Sequence, residues 1–116
     1  MTKRSHKRFS ITGIATLQFE DEGTIKTNQG TLGSISSVGM GLYVEKPIEA
    51  NKQVSITISF ISICGGIKNS VIEGSIKYNE NIGDSHFVGI QFNQEVSSEK
   101  QPLLYEHIQN ILAYDK

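Results

Sequence analysis

The chain has 116 residues, with 37% hydrophobic and 20% charged composition and a formal net charge of −1. These values suit one soluble globular domain with a modest core better than they suit a disordered chain. No apolar run approaches the roughly 20 residues of a membrane-spanning helix, residues 1–10 lack the apolar stretch of a secretion signal, and the single cysteine, Cys64, makes a reducing cytoplasm the expected compartment.

At the N-terminus Lys3, Arg4, Lys7 and Arg8 place four positive charges in eight residues with no acid among them, so the remainder carries −5 against their +4. A basic, flexible arm over 1–10 on a mildly acidic body looks for a concentrated anion, phosphate first, although a solvated tail has the same composition. From Phe9 to Phe92 the chain is rich in Ile, Val, Thr, Phe and Tyr and punctuated by glycine, the pattern of strands and turns. Residues 11–20 alternate imperfectly, with Ile14, Thr16 and Gln18 opposite Ala15, Leu17 and Phe19, and Gly13 marks a bulge. Asp21-Glu22-Gly23 is a turn, 24–27 opens a second strand, and 30–35 continues or renews it. A third strand, 41–45, is closed by Pro47. The clearest strand is 54–61, with Val54, Ile56, Ile58 and Phe60 on one face and Ser55, Thr57 and Ser59 on the other. Cys64-Gly65-Gly66 breaks it. Strand 70–78 follows, with Ile72, Gly74, Ile76 and Tyr78 on one face, then a turn-rich loop over 79–84 and a closing strand over 86–92.

The period then changes. Leu104, Ile108, Ile111 and Leu112 form one helical stripe, Ser98 with Gln101 reads as a capping box, and Pro102 sits in the tolerated first turn. The expected fold is mainly β: a six-stranded antiparallel barrel over 11–96, which closes to remove exposed edges, preceded by the arm and followed by a C-terminal α-helix within 97–116.

Catalysis is poorly provisioned. Cys64 has no partner supported by spacing among His6, His86 and His107, the histidines show no metal-ligand grouping, and phosphate-loop and dinucleotide-fold fingerprints are absent. The chain is therefore expected to be no enzyme and to hold no metal or cofactor. Two segments say more. Arg4-Ser5-His6-Lys7-Arg8 carries two arginines, whose planar forks grip phosphate or a guanine edge and stack on a base. Four residues of extended arm span up to roughly 13–14 Å, so an arm folded around a compact ligand brings the two guanidinium groups to different parts of it. The second segment runs from Ser34 through Ser36 and Gly39 to Gly41. Small hydroxyl residues at a strand-to-strand turn present amides and hydroxyls to an anion, and Gly39 and Gly41 permit close approach. A Ser/Gly turn without ligand has the same composition.

In this order and on this strand framework, the two segments resemble the PilZ family of bacterial cyclic di-GMP receptors, which carry Arg-x-x-x-Arg before the first strand and Asp/Asn-x-Ser-x-x-Gly between the second and third. The matching residues are Arg4, Arg8, Ser36 and Gly39, with Gly41-Leu42-Tyr43-Val44 as the next strand, Phe87-Val88-Gly89-Ile90-Gln91-Phe92 as the closing strand and a helix after it. The resemblance implies a six-stranded barrel whose rim binds a cyclic dinucleotide and signals through protein contacts. It implies that Arg4 and Arg8 contact phosphate and guanine, that Arg8 also stacks, that Ser36 donates to a phosphate oxygen and that Gly39 allows close approach. Ser34 departs from the family's Asp or Asn. A serine cannot take both donors of a guanine edge as a carboxylate does, a loss of about 1–3 kcal/mol by analogy with base-edge pairs. Ser34 therefore either weakens binding or relaxes the base preference toward cyclic GMP-AMP. An adaptor that has lost the nucleotide is the alternative. The acidic body and absent tryptophan leave DNA and RNA as unexpected partners, and monomer and homodimer both remain open.

Overall fold

The computed structural model describes residues 9–10, 13–61 and 65–114; Cys64 lies outside them. The chain runs β1 (Phe9–Ser10), β2 (Gly13–Asp21), β3 (Thr24–Ile35), β4 (Gly39–Val44), β5 (Gln53–Ile61), β6 (Ile67–Ile82), β7 (Ser85–Phe92) and α1 (Pro102–Tyr114). Every pairing is antiparallel. The order β3-β2-β5-β6-β7-β4 closes on itself because β4 also pairs with β3. Ile35 pairs with both Phe9 and Met40, so β1 lies on the β3 edge that β2 occupies farther along. Counting β1 and β2 as one course, six strands form the ring, as the pattern of short strands predicts.

Alternation sorts the side chains. In β5, Val54, Ile56, Ile58 and Phe60 are buried and the residues between them are more exposed. Ala15 and Leu17 of β2, Met40, Leu42 and Val44 of β4, and Val88, Ile90 and Phe92 of β7 join them in one core. The first hairpin turns on Glu22 and Gly23, both at positive φ (53° and 79°), as a two-residue connection requires.

Several boundaries differ from the sequence expectation, for physical reasons. β3 is one strand of 12 residues, because Asn28, Gln29 and Gly30 pair with Leu17, Thr16 and Ala15 rather than forming a break. Gly13 pairs with Phe60 and sits in no register shift with β5; a Cβ there would lie 2.3 Å from the Ser59 carbonyl oxygen, so close strand packing accounts for the glycine. The irregularities fall instead between Leu32 and Ser34 and between Ile76 and Tyr78. The second takes Tyr78 off the buried face of Ile72 and Ile76 and leaves it 46% exposed. The expected loop over 79–84 is mostly strand. β6 runs to Ile82 and turns at Gly83, whose φ is 61°.

The Gln101 carbonyl accepts from the Tyr105 N–H at 2.8 Å, so Pro102 is the first helical residue, where its missing N–H is harmless. Ser97, not Ser98, makes the side-chain bonds here, and they brace the turn that leads into the helix. Ser97 Oγ accepts from the Lys100 N–H at 3.1 Å, and Gln101 Oε1 accepts from the Ser97 N–H at 3.3 Å. The helix packs against β6, with Leu104 and Ile108 in the core and the His107 ring 4.6 Å from that of Phe60. The side chains of Ile111 and Leu112 lie outside the described set. Among the described residues no helix is long and apolar enough to cross a membrane.

Candidate functional site

The β3–β4 connection is built by its own serine. The Ser36 N–H donates to the Gly39 carbonyl at 2.8 Å. Ser36 Oγ accepts from the Val38 N–H at 3.2 Å and donates to the Gly39 carbonyl at 3.4 Å. The side chain is buried, so its hydroxyl here sets the shape of the turn. The turn is also tied to the segment leading into α1. The Phe92 N–H donates to Val38 O and the Val96 N–H to Ser37 O, each at 2.8 Å, and Ser37 Oγ donates to Glu95 Oε2 at 3.1 Å.

Gly39 and Gly41 both have packing reasons to be glycine. A Cβ on Gly39 would stand 2.6 Å from the Ile90 carbonyl oxygen, and one on Gly41 would stand 2.3 Å from the Phe87 ring. Ser34 pairs with Gly41 at the register shift in β3. On the same outer surface, a Cβ on Gly33 would meet Tyr43 at 3.0 Å and Phe87 at 3.2 Å, and one on Gly89 would meet the Tyr78 ring at 2.4 Å. The glycines are thus a floor on which three rings lie in a row. Tyr43 and Phe87 have centroids 4.9 Å apart, and Phe87 and Tyr78 are 6.4 Å apart. Tyr43 is 45% exposed, so the row offers aromatic surface beside Ser34. Sequence reasoning names no aromatic here. Its signal is aromatics paired with one another or with an outward glycine (Tyr43↔Phe87, Tyr78↔Gly89), readable only once register is known.

Ser34, Ser36, Gly39 and Gly41 therefore cluster at one end of the β3–β4 pair. Arg4 and Arg8 lie outside the described residues, but the strand that follows Arg8 does not. Phe9 pairs with Ile35 and Ser10 with Ser34, so the chain leaving the arm enters the sheet next to this segment. Among the described residues no three His, Cys, Asp or Glu side chains gather as a metal site.

A sequence model of the PilZ domain matches residues 2–113. Among solved structures the chain is similar to the Bacillus subtilis inhibitor of motility, MotI/DgrA, at 12% identity and a TM-score of 0.74, covering 100% of this chain and 55% of that one. It is similar to the PilZ domain with c-di-GMP of YcgR from Escherichia coli, at 14% identity and a TM-score of 0.61, covering 97% and 95%. It is also similar to K. pneumonia MrkH in its c-di-GMP complex, at 12% identity and a TM-score of 0.67, covering 97% and 53%. The chain thus spans about half of the MotI/DgrA and MrkH chains and nearly all of the YcgR domain. At these identities the likeness is one of fold. No curated protein matches the sequence.

Proposed function

The chain belongs to the PilZ domain family, and we propose that it is a cytoplasmic receptor for a cyclic dinucleotide, cyclic di-GMP first, held on the outer face between the N-terminal arm and the β3–β4 turn. PilZ domains are ligand-binding receptor domains rather than enzymes, and two of the structural neighbours hold c-di-GMP. The observation that carries the reading is the pairing of Ser10 with Ser34, by which the chain just after Arg8 runs beside the segment from Ser34 to Gly41. Arg4 and Arg8 grip the phosphates and a guanine edge, and Arg8 stacks on a base. Ser36 turns its hydroxyl proton from the Gly39 carbonyl to a phosphate oxygen, exchanging a neutral hydrogen bond for a charge-assisted one. Tyr43 and Phe87 supply π-surface beside the phosphates. No metal or cofactor is needed for this.

The same geometry supports a relay. A ligand that pulls on the turn acts on Val38 and Ser37, whose carbonyls hold Phe92 and Val96 on the path to α1. Output then depends on how the ligand-ordered arm and the helix region present themselves to a protein partner.

Calorimetric titration with cyclic di-GMP and cyclic GMP-AMP, on the wild type and Arg8→Ala, tests the reading. The expected result is binding at about micromolar or tighter that Arg8→Ala abolishes. Comparable affinities for the two nucleotides would show that Ser34 has relaxed the base preference. No heat with either would remove the receptor reading and leave an adaptor acting by protein contacts alone.

A further inference from the structure

Beyond Tyr43, away from the turn, the outer face opens into a cleft of about 560 Å³. It arises where two strands part. Gly30↔Val44 is the last β3–β4 pair, after which β3 continues toward its hairpin with β2 while the chain leaves β4 through Glu45 and Lys46. Asn28 Nδ2 donates to the Lys46 carbonyl at 3.3 Å and holds the two walls in place. Tyr43, Thr31, Gln29, Glu45 and Lys46 are among the lining residues, and Glu45 is the one carboxylate among those described there.

The aromatic wall, the carboxylate and the flanking amides are what a purine needs. An exposed ring stacks on any base face. A carboxylate takes two adjacent N–H donors at once, which guanine presents on its Watson–Crick edge and adenine does not. Tyr43 belongs both to this cleft and to the ring row beside Ser34 and Gly41, so the two regions form one continuous surface. Glu45 follows the last residue of β4 directly, so the carboxylate stands where the strand ends, at the far side of Tyr43 from Gly41 in the chain.

We infer that this cleft is the base-reading subsite of the receptor, in which Tyr43 stacks on one guanine of the dinucleotide and the Glu45 carboxylate accepts its two edge donors. The inference rests on the receptor reading above and deepens it. Glu45 supplies the carboxylate that Ser34 does not, so one base is read at the cleft while the base near Ser34 is read less strictly. Lys46 places a positive charge at the rim for the adjoining phosphate.

The test is titration of the wild type, Glu45→Gln and Tyr43→Leu with cyclic di-GMP and cyclic di-AMP, with thermal melts confirming that each variant is folded. Glu45→Gln should weaken cyclic di-GMP about ten- to a hundredfold and leave cyclic di-AMP within about threefold. Tyr43→Leu should weaken both by a similar factor, because stacking does not distinguish the bases. Wild-type binding of cyclic di-GMP with an unchanged Glu45→Gln affinity overturns the subsite and leaves the receptor reading standing. Absence of wild-type binding to either nucleotide overturns both. Should Tyr43→Leu melt below the assay temperature, the Glu45→Gln ratio decides alone.

Discussion

His107 is a polar side chain placed where the packing favours an apolar one. Its ring lies 4.6 Å from Phe60, the residue is 9% exposed, and among the described residues its buried Nδ1 has no hydrogen-bond partner. Burial holds its pKa below the ordinary 6.5, because charging the imidazole would place an unpaired cation between the helix and the barrel. The folded protein therefore binds this proton less readily than the unfolded chain does. Its contribution to stability is complete above pH 6.5 and is lost as the pH falls toward the lowered folded value. Denaturant unfolding from pH 8 to pH 5 should show stability declining on the acid side, and His107→Leu should flatten that part of the decline. A His107→Leu profile parallel to the wild type at every pH would show that other groups set the slope. At this scale Ser36 offers a contrast, since both partners of its hydroxyl are accounted for within one turn.

At the scale of elements, the helix start offers a sharp distinction between neighbouring serines. Ser97→Ala removes the acceptor for the Lys100 N–H in the turn before the helix and should cost about 1 kcal/mol, whereas Ser98→Ala should stay within about 0.5 kcal/mol, typical of a surface change. Equal losses for the two variants would refute the role assigned to Ser97. The sequence pattern picks Ser98 because Ser98 and Gln101 have the spacing of a capping box, whereas the serine bonds that form come from Ser97 and lie in the turn before Pro102. Alternation made β2 and β5 legible, since one-face burial repeats every second residue there. The same reasoning misplaces Tyr78, because a bulge changes which face follows, and a bulge in β6 is set by its partner β7 rather than by β6 itself. The glycines of the site were legible as glycines and not for their reasons. Gly39 faces the Ile90 carbonyl and Gly41 the Phe87 ring, and both neighbours lie far away in the chain. The cleft at Glu45 was illegible for the same cause: it exists only because β3 outlasts β4.

For the whole molecule, closure and the helix act together. The ring leaves no long open edge in its central courses, and α1 extends the core past the strand ends through Leu104 and Ile108, which are 0% and 2% exposed. Leu104→Ala should therefore lower the unfolding free energy by about 2–5 kcal/mol, the range for truncating a buried leucine, with one cooperative transition retained in denaturant unfolding. A loss below about 0.5 kcal/mol, or two separate transitions, would mean that the helix is only loosely attached to the barrel.

Closure also carries a cost in time. β4 forms its last edge with β7, pairing Gly39 with Gln91 and Val44 with His86, and β2 must meet β5 across the whole of β3 and β4. During synthesis at about 5–20 residues per second, the edge of β4 and the inner face behind it wait several seconds before the strand that covers them exists. Pairings so far apart in sequence also place refolding in the slow, millisecond-to-second range of small β proteins. The seam between β4 and β7 is thus the last part of the fold to become protected, and it runs directly beneath the ring row of Tyr43 and Phe87. A nascent chain cannot present that surface to a ligand until its final strand has been made.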